Sequence, residues 1–453
     1  MKYSEFLQSK QKNIINSGFE ISESELNPKL FDFQKFVNKR AIKAGKYAIF
    51  GDTGTGKTPM QCDIAYQINK YTSLPSLILA PLGVTGQTIE KGKEFGYEIN
   101  RFYDDGNIQI ANYDQLHNID VKKYGCILLD ESSILKNETG NYRNLLIEKF
   151  KNTPYKFCFS ATPSPNDPME LGNHAEFLDV MSFNEMLAMY FVHDAGETQK
   201  WRLKGHAIER FYEFVSTWAI MYSHPRDIGF DMPGYDLPKL EIIEKQVSTP
   251  LPAGMLFPGL SVNATDYNSS LRETEQQRID ETIQIIQDDI PKDEQIIIWT
   301  KQNEESKNIY NKLKSLGYDC RNVQGSDSPE KKEKDLLGFA HNEFQILITK
   351  QSIASQGLNY QNCGYQIFNS VDFSFEQSYQ AMRRSWRFGQ KRKVTCWMIT
   401  TDRQINIPQI QRQKQKQFAE MQHQMSIAVN KHLYTGFNEK LETSQNMLLP
   451  TWL

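Results

Sequence analysis

Short apolar runs recur along the chain, separated by stretches that mix polar and apolar positions. Tyr47–Phe50, Ser76–Ala80, Ile108–Ala111, Gly125–Leu129 and Tyr155–Phe159 are nearly unbroken hydrophobic segments, as expected of strands buried on both faces. A helix is predicted from just after Leu30-Phe31-Asp32-Phe33-Gln34 to Ala44, and another over Met60–Ile68. Strand and helix alternate through residues 30 to 165, which predicts a mostly parallel sheet with helices on both faces. A second alternating series has strands at Ile296–Thr300, Cys320–Val323, Gln345–Thr349 and Val394–Thr400, with Leu237–Ile243 opening it. Its Glu304–Leu316 helix ends at Gly317, a good C′ residue, and Pro329 stands near the start of the next helix. Between the two series, Phe183–Phe191 and Ala207–Met221 read as aromatic-rich helices, and Met232–Gly234 and Thr249–Gly259 as linker or loop. Gln409–Lys431 is a glutamine-rich helical stretch suited to bracing. The predicted class is α/β: an N-terminal domain over 1–167, a helical insert over 168–236, a second parallel-sheet domain over 237–401 and a helical tail over 402–453.

Composition narrows the function classes. A chain of 453 residues is too long for one ordinary core, and 39% hydrophobic with 12% aromatic residues suits a soluble globular protein. The net charge of −3 gives no global attraction to polyanions, so contact with nucleic acid must come from local basic patches. The six cysteines form no C-x-x-C pair and several sit inside apolar runs, which suggests neither a disulfide framework nor a zinc site. A reduced cytoplasmic setting is expected. The N-terminus lacks an apolar core segment and no 18-residue apolar run occurs, so neither secretion nor a membrane span is expected.

The chemistry centres on Gly51-Asp52-Thr53-Gly54-Thr55-Gly56-Lys57-Thr58, a Gly-x-x-x-x-Gly-Lys-Thr loop between a strand and a helix. Its glycines let backbone N–H groups close around a triphosphate, with Lys57 on the β- and γ-phosphates and the Thr58 hydroxyl on Mg²⁺. Pro59 is tolerated in the first helical turn, where its missing N–H has no partner to lose. Asp130-Glu131 follows an apolar strand. Either the pair caps the next helix, or Asp130 holds Mg²⁺ through water and Glu131 orients and deprotonates the attacking water. Phe33-Gln34 reads as packing plus a surface amide, or as a wall beside an adenine and the amide that reads its edge. Ser160-Ala161-Thr162-Pro163 follows another strand, where hydroxyls commonly start a turn. Gln199–His206 is basic and carries Trp201, which fits either a nucleic-acid contact or an ordinary interhelical contact. Residues 380–393 hold six basic side chains and no acidic one. The run is a solvated or phosphate-binding face, but Arg384 and Arg387 stand three apart and share one side of a helix, which suits two arginines aimed at a γ-phosphate.

The ordered set DFQ, GDTGTGKT, LILAPLGV, DESSILKN, SATP, SQGLN and QAMRRSWRFGQ resembles a superfamily-2 helicase core over roughly residues 30 to 400. The last motif and the ILKN after Asp130-Glu131 resemble the Swi/Snf-type branch most, and the compact insert after SATP is similar to that of bacteriophage-encoded helicase-like proteins. The resemblance implies two RecA-like domains around ATP, with nucleic acid running across both. It implies Gln34 at adenine, Lys57 and Thr58 at phosphate and Mg²⁺, Asp130 and Glu131 in hydrolysis, Ser160 and Thr162 in coupling, Gly357 at the domain interface and Arg384 and Arg387 as fingers. The sequence departs from the family at Ser133, where Asp-Glu-x-His would have histidine, at Arg383 for aspartate and at Trp386 for histidine. These departures bear on coupling and polarity more than on hydrolysis.

The function these residues imply is an ATP-dependent translocase moving along DNA, double-stranded by the family branch, in a bacterial or phage-infected cytoplasm. The alternative is a nucleotide-gated nucleic-acid clamp with slow hydrolysis that needs a protein partner.

Overall fold

The computed structural model describes residues 17–136, 140–194, 197–249, 264–354 and 359–435. The chain divides into two compact units, Met1–Asp231 with Ala419–Leu453, and Met232–Phe418.

In the first unit the described strands are β1 (Lys46–Gly51), β2 (Ser76–Ala80), β3 (Asn100–Arg101), β4 (Ile108–Asn112), β5 (Cys126–Asp130), β6 (Tyr155–Phe159), a hairpin of β7 (Phe191–Asp194) and β8 (Glu197–Leu203), and β9 (Ala219–Tyr222). Except for the hairpin, they form one parallel sheet in the order β3-β4-β2-β5-β6-β1-β9. Its central strands are buried throughout, as their nearly unbroken apolar runs require. Register places Asp130 beside Phe159 and Phe159 beside Ile49, so β5, β6 and β1 end at one edge. Ligands of open α/β sheets bind at this carboxyl edge.

The second unit has β10 (Leu240–Val247), β11 (Ile296–Thr300), β12 (Cys320–Val323), β13 (Ile346–Lys350), β14 (Tyr365–Phe368) and β15 (Val394–Thr401), parallel in the order β10-β15-β14-β11-β13-β12. Alternate residues of its strands feed two cores. Ile297, Trp299, Leu347 and Phe368 enter one, and Ile296, Ile298, Ile348 and Trp397 the other. Both units thus have the parallel-sheet α/β architecture expected.

Three details differ from the sequence expectation. The helix expected to run to Met221 ends at Trp218, and Ala219–Tyr222 becomes an edge strand beside β1. All four of those residues are buried, which a half-buried helix could not arrange. The insert, otherwise mostly helical, holds the β7–β8 hairpin, so Trp201 lies on a strand, its ring 3.6 Å from that of His193 across the hairpin and tilted by 35°. Strand β14, with no counterpart in the sequence expectation, is only four residues long and holds Gln366 inside it, too short an apolar run to announce a strand. That amide is fully buried yet satisfied, accepting from Trp299 Nε1 at 2.8 Å and donating to Met382 O at 3.1 Å.

The Asn406–Thr435 helix carries the glutamine-rich stretch. In the second unit Phe418 packs on Phe375 and Tyr379, and Gln411 donates to Ser378 Oγ at 3.1 Å. In the first, Lys431 pairs with Glu209 and Glu213, and Asn430 donates to Asp227 O at 3.2 Å. Among the described residues, no helix is long and apolar enough to cross a membrane.

Candidate nucleotide site

The loop after β1 has the geometry its glycines predict. Gly54 and Gly56 adopt φ of 89° and 80°, backbone conformations that L side chains rarely take, and Gly56 leads directly into the Lys57–Thr72 helix. A Cβ on Gly51 would stand 2.7 Å from Thr55 Oγ1 and 2.9 Å from Tyr222 Oη, so the strand end also requires glycine. Asp52 organises the turn: its carboxylate accepts from Thr53 N–H at 2.6 Å, and its carbonyl accepts from Thr55 Oγ1 at 2.7 Å. Lys57 Nζ donates to Gly51 O at 2.9 Å and to Asp52 O at 3.2 Å. Thr58 is half-buried in the first helical turn. The N–H groups that begin this helix point at the loop, a ready site for an anion.

Gln34 is tied to the same loop. Its Oε1 accepts from Phe31 N–H at 2.9 Å, closing the start of the Asp32–Ala44 helix, and its Nε2 donates to Thr55 O at 2.9 Å. Phe33, expected as a wall for a base, is fully buried and packs edge-on to Tyr222 at 6.0 Å. Helical spacing turns it into the core. Phe31 is the aromatic this segment exposes, at 40%.

Asp130, at the end of β5, is buried and accepts from Gln61 Nε2 at 2.6 Å. Burial pushes its carboxyl above the usual range, against the pull of Gln61 and of the Lys57 charge. Tyr113 Oη donates to Asp130 O at 2.7 Å. Glu131 has φ of 51°, a left-handed conformation that costs a non-glycine residue about 1 kcal/mol. Ser160 and Thr162 are fully buried, and Thr162 N–H donates to Ser160 Oγ at 3.1 Å, the local turn that hydroxyls at a strand end commonly make.

The structure therefore brings Gln34, the Gly51–Thr58 loop, Asp130, Glu131 and Ser160 to one sheet edge. Sequence reasoning missed Gln61, Tyr113 and Tyr222. Gln61 had a readable signal, since it stands four residues beyond Lys57 and so lies on the same helical face. The other two come from distant segments.

Arg384 and Arg387 belong to the second unit but do not share a helix face as expected: the Phe375–Met382 helix ends before them, and both stand in the turns that follow it. Arg387 is pushed down to about 10 by burial and by the neighbouring Arg384 and Arg383 charges, and its Nε has no hydrogen-bond partner among the described residues. Cations crowded together in this way favour an anion. Arg383 is buried and stacks over Trp386 at 4.8 Å, while Trp386 Nε1 donates to Pro238 O at 2.6 Å. The two family departures thus pack on each other. Gly357, with Ser355, Gln356 and Leu358, lies outside the described residues, as do residues 250–259 of the expected loop. No group of three or more His, Cys, Asp or Glu suited to a metal ion occurs among the described residues. A carboxylate and a hydroxyl beside a bound triphosphate suit Mg²⁺ better than a closed protein cage would.

Residues 277–389 match the helicase conserved C-terminal domain. No curated protein sequence matches the chain. Similar solved structures include Dbp5 of S. cerevisiae bound to RNA and ADP BeF3, at 14% identity over 88% of this chain and 98% of that one, with TM-score 0.51. The Sulfolobus solfataricus SWI2/SNF2 ATPase core in complex with dsDNA is 18% identical over 92% and 98%, with TM-score 0.43. The Pyrococcus furiosus Hef helicase domain is 14% identical over 82% and 95%, with TM-score 0.46. At such identity the likeness to Dbp5 is one of fold, that of tandem RecA-like domains.

Proposed function

We propose that the chain is a superfamily-2 helicase core, a nucleic-acid-stimulated ATPase that turns ATP hydrolysis into movement along duplex DNA; the match of residues 277–389 to the helicase conserved C-terminal domain supports this reading. The observation that carries the reading is the meeting of a glycine loop, a helix N-terminus and a carboxylate pair, Asp130 buried and Glu131 half-buried, at one sheet edge. The loop N–H groups and Lys57 bind the phosphates, and Lys57 Nζ exchanges its loop carbonyls for phosphate oxygens. Thr58 and Asp130 would hold Mg²⁺, which supplies charge neutralisation at the β- and γ-phosphates. Gln61 fixes the Asp130 carboxylate for that task. Glu131 aligns the attacking water and takes its proton. Phe31 and Gln34 flank the adenine, with Gln34 also bracing the loop at Thr55. Arg384 and Arg387 stabilise the transferring γ-phosphoryl group, and Ser160 and Thr162 couple the nucleotide to the track.

Duplex DNA as the track rests on the Swi/Snf-like form of the motifs. The slow, partner-dependent clamp remains the second reading, favoured by Ser133, a buried hydroxyl where the family has histidine. The test is steady-state ATP hydrolysis with no polymer, single-stranded DNA, duplex DNA and RNA, with Lys57→Ala as the blank. Strong stimulation by duplex, lost in Glu131→Gln and Arg387→Ala, is expected. A flat, slow rate on every polymer would overturn the motor in favour of the clamp.

A further inference from the structure

The proposed water-activating residue is the most constrained point of the site. Glu131 sits in a left-handed conformation between two pinned neighbours. On one side Tyr113 holds the Asp130 carbonyl and Gln61 holds its carboxylate. On the other side Ser132 Oγ stands 3.1 Å from Nε2 of His174, and both residues are fully buried. His174 comes from the Leu171–Phe177 helix, eleven residues past the end of Ser160–Pro163. Its ring meets Phe50, the residue before Gly51, edge-on at 5.2 Å. The same helix grips the far end of the Ser132–Lys136 turn, where Asn173 Nδ2 donates to Lys136 O at 3.3 Å.

Packing alone does not account for an imidazole here. Leucine would fill a similar volume against Phe50 and would carry no ring nitrogens to desolvate. What the ring adds is Nε2 on Ser132. We infer that His174 is a positioning residue for Glu131: its bond to Ser132 fixes the turn that aims the Glu131 carboxylate at the attacking water. The chain thereby supplies, from a helix about 40 residues downstream, an imidazole to a loop that has Ser133 where the family has histidine. Burial pushes the His174 imidazole down to about 4, opposed by the Glu170 and Ser132 carbonyls, so it holds the turn as a neutral ring. The inference rests on the hydrolytic reading of Glu131.

The test measures kcat and KM for ATP with Mg²⁺, binding of a fluorescent ATP analogue, and melting, for His174→Leu, His174→Gln, Ser132→Ala and Glu131→Gln. His174→Leu should lower kcat at least tenfold, with KM and analogue binding within twofold. His174→Gln, which returns an amide near the Nε2 position, should recover kcat to within threefold of the unmodified protein. Adding Ser132→Ala to His174→Leu should lower kcat no further. Unchanged kcat in His174→Leu, or equal losses in the Leu and Gln variants, would overturn the inference. If His174→Leu fails to fold, Ser132→Ala alone decides, because it removes only the hydroxyl: a tenfold fall in kcat at constant KM supports the inference and no fall sinks it. Glu131→Gln separates the two levels. Wild-type turnover in that variant refutes the hydrolytic reading itself, whereas loss there with normal turnover in His174→Leu refutes only the role of His174.

Discussion

Gln34→Ala distinguishes a brace of the phosphate loop from a reader of the base. The substitution deletes two hydrogen bonds, a part-buried one from Phe31 N–H and a buried one to Thr55 O, each 2.9 Å long. Each is worth about 1 kcal/mol net, and the stranded Thr55 carbonyl costs about 1 kcal/mol more, for a total of about 2–3 kcal/mol. The Phe31 share loosens the helix start. The Thr55 share, about 1–2 kcal/mol, falls on the loop that wraps the phosphates and corresponds to about 5–30-fold weaker nucleotide binding. Fluorescence titrations with ATP and with GTP, run beside melting curves, measure both shares. A brace weakens ATP and GTP by the same factor, whereas a base reader weakens ATP and spares GTP. Gln34→Glu sharpens the comparison, because it keeps the acceptor for Phe31 N–H but turns an oxygen toward Thr55 O. It should therefore harm binding more than it harms the helix start. Binding of both nucleotides within twofold of normal, with unchanged melting, would refute the brace.

Three further outcomes are expected. Arg387→Ala should reduce ATP turnover by about 10³-fold or more if the arginine stabilises the transferring phosphoryl group, with little change in nucleotide affinity, as single-turnover kinetics would report. Glu305→Ala should destabilise the second unit by about 3–5 kcal/mol in denaturant melts, because it strands the fully buried Arg278 that Glu305 now neutralises; replacing both residues by leucine should cost less. Glu170→Gln should change the pH dependence of stability. Burial, with Asp167 nearby, raises Glu170 to about 7 against the opposing hydrogen bonds of Asn166 and the Lys136 charge. The folded state therefore holds its proton more tightly than the unfolded chain does, and the stability contributed is complete below about pH 4.5 and lost as pH rises through about 7. The Gln variant should gain up to about 2–3 kcal/mol on the parent between pH 5 and pH 8, and a constant difference over that range would contradict the assignment. His174, lowered to about 4, has the opposite sign, its contribution being lost as pH falls from about 6.5 toward 4, so comparison with the parent is essential.

What was legible in the sequence was local. Buried parallel strands announce themselves as nearly unbroken apolar runs, so β2, β5, β11 and, despite Lys156, β6 stand where expected. The glycine loop was legible because its backbone demands are met by few residue types. Strand β9 was not, because its apolar run continues without a break from the amphipathic Ile208–Trp218 helix, and only pairing with β1 separates the two. Phe33 shows the limit at the site. The aromatic-glutamine pair was visible, but which aromatic faces outward depends on how the helix docks, and Phe33 turns inward against Tyr222. His174 lay beyond reach for a related reason, since it approaches Ser132 across 42 residues of sequence and carries no ligand-like spacing.

All six thiols are buried and unpaired, and they divide evenly. Cys62, Cys126 and Cys158 lie in the first unit, and Cys320, Cys363 and Cys396 in the second. Burial pushes each thiol up, which further suppresses its nucleophilic form. The native surface is therefore silent to maleimides, and a reporter cysteine placed at the exposed Tyr103 would be labelled alone. The same silence makes the native cysteines a built-in gauge of opening. Pulsed alkylation followed by peptide mapping would record the exposure of each unit separately, with and without ATP, and would time their loosening against turnover.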